Sequence, residues 1–178
     1  MAYQRKKANA LPGFQELLEQ DLKPKKYREV YVLAGEDTHR GEAVVEQIRK
    51  DALGESGSAF NFHVFQGDQT PVERVLQQAL SLPMLGGLQV IWVKHAEGLV
   101  SNADAQATFE KYLAGPVKET ILILSMEKAD RRKKWAKLCQ EGGFLFDFSP
   151  PAGEALVQWV LKAARKEGLP LGHEQAQV

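Results

Sequence analysis

Val30-Tyr31-Val32-Leu33-Ala34-Gly35-Glu36-Asp37-Thr38-His39-Arg40-Gly41-Glu42 is the stretch on which the reading of the fold turns. Its first five residues are apolar without alternation. A half-exposed strand alternates apolar and polar positions, so an unbroken run reads as a strand covered on both faces, as in a parallel sheet. Gly35 then allows a tight turn, and Asp37 or Thr38 is suited to cap a helix. The helix that follows places Val44, Val45, Ile48 and Ala52 on one side. Strand, glycine turn and helix in succession are the unit from which α/β domains are built.

The same alternation extends in both directions. Upstream lies a short amphipathic segment with Phe14, Leu17, Leu18 and Leu22. Downstream, Phe60, Phe62 and Val64 alternate with Asn61 and His63, the pattern of a half-exposed strand near a sheet edge. Thr70-Pro71-Val72-Glu73 has the form of a capping box with proline at the first helical position. Val72, Val75, Leu76, Ala79 and Leu80 continue it as one buried stripe. Gly86-Gly87 interrupts the chain before a third strand over residues 88–93. A helix with Ala105, Phe109, Tyr112 and Leu113 on one face leads to a fourth strand over 120–125. A basic helix carrying Trp135, Leu138 and Cys139 ends at Gly142-Gly143, and a fifth strand covers 144–148. The expectation is a five-stranded parallel sheet with helices on both faces, an α/β domain spanning residues 1–149. Ser149-Pro150-Pro151 punctuates the chain. A further helix, with Leu156, Val157, Val160, Ala163 and Ala164 inward, would open a second, helical domain over 150–178, truncated before the helix finds a partner.

Bulk properties narrow the function. Of 178 residues, 44% are hydrophobic and 26% charged, as in globular domains, and the formal net charge is zero. Zero net charge argues against a protein whose main task is neutralising DNA phosphates, so DNA contact is expected to be weak or indirect. Cys139 is the single cysteine, which leaves no disulfide framework or thiolate cluster and fits a reducing cytoplasm. Residues 1–10 are basic but no signal-peptide core follows them, and no apolar run suits a membrane span.

In a parallel α/β domain, the first strand-to-helix turn is where phosphates dock. A phosphate loop needs a second glycine five residues after the first, then lysine, then Ser or Thr. Counted from Gly35, those positions hold Arg40, Gly41 and Glu42. The lysine for the β- and γ-phosphates and the hydroxyl for Mg²⁺ are both missing, and Glu36, Asp37 and Glu42 bring negative charge. Beyond the third strand, Lys94 and His95 stand where magnesium-binding acids would be needed. The expectation is an ATPase shape without ATPase chemistry, with no bound cofactor; the alternative is a divergent P-loop ATPase with an unusual phosphate loop, against which the missing lysine argues. His39, His63, His95 and His173 lack metal-ligand spacing, and no Gly-x-Ser-x-Gly elbow occurs, so neither a metal nor a catalytic residue is expected.

Two segments remain. Residues 128–137 hold six Lys or Arg in ten. Arg131, Arg132, Lys133 and Lys134 could contact phosphates with Trp135 as a stacking platform, making a nucleic-acid-binding module. A solvated helix face with Trp135 in the core is favoured, because charged helix faces are common. Leu82-Pro83-Met84-Leu85-Gly86-Gly87 is bulky and apolar between a finished helix and a strand. It reads equally as a loop tucked into the core or as a tight projection offering Met84 and Leu85 to a partner.

In order and spacing, several segments resemble the DNA polymerase III delta subunit family of bacterial clamp loaders. They are Val30 through Asp37, Leu82-Pro83-Met84-Leu85-Gly86-Gly87 with Val90-Ile91-Trp92-Val93-Lys94-His95-Ala96-Glu97, Asp130-Arg131-Arg132-Lys133-Lys134, and Leu156-Val157-Gln158-Trp159-Val160. The similarity runs from about Tyr27 to Leu171. It implies an AAA+-type domain with a degenerate nucleotide site (Gly35, Arg40, Gly41, Glu42), then a helical lid and a C-terminal oligomerisation domain. The third domain would be absent and the lid incomplete, as in a piece of a longer protein. It implies a non-catalytic subunit of the polymerase holoenzyme that binds and opens the sliding clamp while other loader subunits hydrolyse ATP. In that family two adjacent apolar residues before the third strand enter a pocket on the clamp. The matching positions are Met84 and Leu85, beside Pro83. Methionine at the first of them departs from the family's usual bulky or aromatic pair, and a flexible thioether suits a pocket.

Overall fold

The computed structural model describes residues 11–84 and 86–150 with residues 153, 156, 157, 161, 164, 168, 169 and 172, and for residues 55–59 the backbone alone. The chain divides into two units, Met1–Phe148 and Ser149–Val178.

In the first unit a short helix α1 (Phe14–Leu17) runs into a π-helical turn (Leu18–Leu22). Then come β1 (Val30–Ala34), α2 (Thr38–Asn61), β2 (Phe62–Gln66), α3 (Val72–Ala79), β3 (Gln89–Lys94), α4 (Ala103–Leu113), β4 (Thr120–Met126), α5 (Lys134–Glu141) and β5 (Leu145–Asp147). The five strands form one sheet in the order β2-β3-β4-β1-β5. Every pairing is parallel, with Val32 opposite Leu124 on one side and Leu145 on the other. The expected five-stranded parallel α/β architecture is therefore present.

The run Val30–Ala34 alternates not between core and water but between two cores. Val30, Val32 and Ala34 pack beneath α3, α4 and α5, with Val75, Phe109 and Trp135. Tyr31 and Leu33 pack on the opposite face with Leu17, Val44, Val45 and Ile48. Both faces of β1 and β4 are buried, whereas edge strand β2 is only half-covered and leaves Val64 exposed.

Several local readings are corrected. The capping box does not form. Pro71 itself, at φ −60° and ψ 144°, is the N-cap, and its carbonyl starts the α3 ladder by accepting from Arg74 and Val75. An extended ψ cannot be a first helical position, so the helix begins one residue later. Leu80 is the C-cap of α3 and lies 62% exposed, outside the stripe assigned to it. Phe60 and Asn61 end α2 rather than begin β2. The basic stretch is not one helix: Arg131 and Arg132 lie on a turn and α5 starts at Lys134.

In the second unit, Val157 and Ala164 are buried as expected, while Leu156 is 39% exposed. Val160 and Ala163 lie outside the described residues.

Candidate functional site

A cavity of about 160 Å³ opens at the carboxyl ends of β1, β3 and β4, lined by Gly35, Gly41, Glu42, Lys94, His95 and Ser125 among others. This is the position in a parallel sheet where a phosphate would dock. The chain fills the role itself. Asp37 caps α2, accepting from the Arg40 N–H at 3.0 Å, and its other carboxylate oxygen is 2.5 Å from Arg40 Nε. A fixed carboxylate thus sits at the positive end of the helix, where it would repel a phosphate.

Three main-chain donors of the turn are also engaged. The Gly35 N–H bonds to the Met126 carbonyl, that of Asp37 to Phe148 and that of Thr38 to Glu36. A phosphate loop turns these amides toward its anion; here they hold the turn to the sheet and to itself. Lys94 Nζ lies 3.6 Å from Glu42 Oε1 and 4.1 Å from the Trp92 ring centroid, a cation between a carboxylate and an aromatic face. Trp92 Nε1 in turn donates to Ser125 Oγ at 2.9 Å. Of the four residues read as a degenerate phosphate loop, Gly35, Gly41 and Glu42 line the cavity. Arg40 instead pairs with Asp37 and reaches over the Phe14 ring.

The apolar segment after α3 is built differently. Leu82 is 83% exposed and Met84 59% exposed, with Pro83 half-buried between them. Leu85 lies outside the described residues. The Gly86 N–H bonds back to the Pro83 carbonyl at 3.3 Å. Gly86 and Gly87 both take positive φ, 78° and 84°, which a side chain would strain. The tip is held from outside by Asn61, itself only 6% exposed: its Oδ1 accepts from the Met84 N–H at 2.8 Å and its Nδ2 donates to the Met84 carbonyl at 3.0 Å.

The base of the loop is fastened by a buried polar network. Gln89, the first residue of β3, is fully buried, and its Nε2 donates to the Ser81 carbonyl at 2.7 Å and to Thr120 Oγ1 at 2.9 Å. Thr120 donates onward to the Ala79 carbonyl at 2.8 Å. Carbonyls at the end of α3, left unsatisfied by the helix, are thereby capped from β3 and β4. Gln78 Nε2 approaches Gln89 Oε1 at 3.1 Å and His63 Nε2 at 3.2 Å. Burial holds the His63 pKa below its ordinary value. Sequence reasoning placed Leu82 in the apolar segment without assigning it to a partner, and it missed the roles of Asn61 and Gln89. A polar residue inside an otherwise apolar strand was the available signal for Gln89.

The basic segment is tied to its own surroundings. Arg132 makes a two-pronged contact with Asp130, at 2.9 and 3.0 Å, and this hydrogen bonding holds the Asp130 carboxyl down at about 2. Lys134 pairs with Glu110 at 2.9 Å, and Arg131 reaches Gln140. Lys133 ends the turn as the N-cap of α5. Trp135 is 3% exposed, its ring 6.2 Å from that of Phe109, so it offers no stacking platform. The Cys139 thiol is buried, which pushes its pKa up to about 12. Among the described residues no group of His, Cys, Asp and Glu could hold a metal ion, and no helix is long and apolar enough to cross a membrane.

Comparison with known proteins bears on the family and the fold. The family model described as DNA polymerase III, delta subunit matches residues 31–148. The DNA polymerase III subunit delta of Bacillus subtilis is 24% identical over 164 residues, which cover 88% of this chain and 47% of that protein. The solved Bacillus subtilis DNA clamp loader delta protein matches with a TM-score of 0.72 at 23% identity, over 89% of this chain and 49% of the other. A DNA polymerase III gamma subunit-related protein from Thermotoga maritima matches with a TM-score of 0.54 at 15% identity, over 82% and 49%. The chain thus spans about half the length of the curated relative it matches. At these identities the two structural likenesses speak to the fold.

Proposed function

Because this chain belongs to the DNA polymerase III delta subunit family, we propose that it docks on the sliding clamp through the loop at Pro83, Met84 and Leu85 and favours the open ring, with no catalysis of its own. The observation that carries this reading is the exposure of Leu82 and Met84 on a loop whose tip and base are both hydrogen-bonded to the domain. Apolar side chains that a fold holds out in water at such a point suit a partner's pocket.

The energetics are those of an interface. Full desolvation of Met84 and Leu85 would contribute on the order of 3–6 kcal/mol, roughly a hundred-fold to ten-thousand-fold in affinity. The ring would shift toward opening only by the difference between the chain's affinities for open and closed clamp. ATP hydrolysis belongs to other loader subunits in this reading, in keeping with a cleft whose helix terminus carries the Asp37 carboxylate and whose Gly35, Asp37 and Thr38 amides are engaged. The unit Ser149–Val178 then belongs to the helical lid. Contacts with the other loader subunits run through a C-terminal domain, and the work is done in the cytoplasm, where the chromosome is copied.

Titration of a fluorescently labelled chain with the sliding clamp of its own organism tests the proposal. Saturable binding that is the same with and without Mg-ATP is expected. Absence of binding at clamp concentrations far above those of a specific complex would contradict it.

A further inference from the structure

An exposed apolar loop without regular structure would ordinarily sample many conformations, and docking would then carry the cost of ordering it. Here one side chain acts on the main chain of the residue assigned to the partner's pocket. The Asn61 carboxamide meets both polar groups of Met84, accepting from its N–H at 2.8 Å and donating to its carbonyl at 3.0 Å. An amide side chain carries both a donor and an acceptor, whereas a carboxylate lacks the donor and an apolar isostere lacks both. The pairing also settles the orientation of the amide, since only Oδ1 can face an N–H. Asn61 closes α2 and adjoins Phe62, the first residue of β2, so the pin is anchored in the sheet. The contact spans 23 residues of sequence. Its geometry copies one rung of strand pairing, with a side chain standing in for the second strand.

We infer that Asn61 is a positioning residue for clamp docking, fixing the backbone of Met84 so that its side chain is presented in a single arrangement before the partner arrives. The inference rests on the reading of the Met84 loop as the clamp contact. Asn61 itself, nearly buried, touches no partner in this account. Its effect on affinity passes entirely through Met84.

The test combines amide hydrogen exchange with clamp titration on Asn61→Ala, Asn61→Asp, Met84→Ser and the Asn61→Ala/Met84→Ser pair. In Asn61→Ala the Met84 amide should exchange at least about tenfold faster, while the amides of β1 and β4 keep their protection. Clamp affinity should fall about five- to twenty-fold. Asn61→Asp keeps the acceptor and nearly the same shape, so Met84 N–H protection should survive while part of the affinity is lost. It also serves if the alanine variant folds poorly. With Met84→Ser already present, Asn61→Ala should change affinity by less than about twofold, because the side chain it positions is gone. A merely structural asparagine would weaken binding by the same factor in both backgrounds, and that result overturns the inference. Unchanged Met84 exchange in Asn61→Ala overturns it as well. If Met84→Ser alone leaves clamp affinity intact, the loop reading fails first and the docking role of Asn61 falls with it, whatever the exchange shows.

Discussion

Asp21 shows how much of this domain rests on single polar side chains. It is 3% exposed, yet it accepts from Arg28 Nε at 2.7 Å, Arg28 Nη2 at 3.0 Å and Tyr31 Oη at 2.8 Å. Arg28 also reaches the Gly143 carbonyl and lies over the Phe146 ring, tying the approach to β1 to the loop before β5. The hydrogen bond to Asp21 raises the already high Arg28 pKa further. Removing Asp21 leaves the Arg28 guanidinium half-buried without its countercharge. Asp21→Ala should therefore cost about 3–5 kcal/mol, read as a large drop in melting temperature, with Asp21→Asn costing less. A loss below about 1 kcal/mol would mean that water replaces the carboxylate freely.

His63 makes a prediction of opposite character. The unfolded chain binds a proton there near pH 6.5, while burial makes the folded ring resist it. As pH falls through 6.5 the unfolded state takes up more protons, so stability drops until the folded pKa is passed, by at most about 1.4 kcal/mol per pH unit. A protonated ring would also face the Gln78 amide donor with a donor of its own, at 3.2 Å. Melting curves between pH 7.5 and 5 should fall more steeply for the native chain than for His63→Gln, since the carboxylates contribute equally to both. Parallel curves would show that the ring is hydrated in the folded state. None of these polar contacts was legible in the sequence. Asp21 and Asn61 look like ordinary surface residues there, because what makes them structural is a partner far along the chain.

At the scale of elements, legibility followed burial. The strand Val30–Ala34 could be delimited to the residue because a run of apolar side chains covered on both faces leaves no ambiguity of period. Phe60 and Asn61 were misplaced because alternation extends backwards past Phe62 into the last turn of α2, where the period-two pattern is accidental. The capping box failed because an extended Pro71 can open a helix with its own carbonyl, leaving Thr70 outside. The six basic residues look helical by composition, but the Asp130–Arg132 contact closes a turn before α5 begins.

The first turn was legible in what it lacks. It could not be read from sequence that the Gly35 and Asp37 amides bond to Met126 and Phe148. Both facts lead to one expectation: calorimetry with Mg-ATP at millimolar concentration should show no saturable heat. Saturable binding would require the Asp37 cap to open and would return the cleft to a nucleotide-binding role.

For the whole molecule, sheet order and the two cores place the loop after α3 beside the edge strand β2, away from the β1 turn at which a nucleotide would bind. A docking role for this loop and nucleotide chemistry at the β1 turn would thus use separate parts of the domain. The assignment of Met84 and Leu85 as the docking pair came from family resemblance, since the residues alone allowed a core loop equally well. The exposure of Met84 now weighs against the core alternative for that residue.

The central claim, that these two side chains serve a partner rather than the core, is tested most directly by the double variant Met84→Ser/Leu85→Ser, melted and titrated with the sliding clamp on the same preparation. The account predicts a melting temperature within a degree or two of the native chain and clamp affinity reduced at least about tenfold, because even partial burial of two such side chains exceeds about 1.4 kcal/mol. A melting temperature lowered by several kcal/mol of lost stability, or a clamp affinity left unchanged, would contradict it.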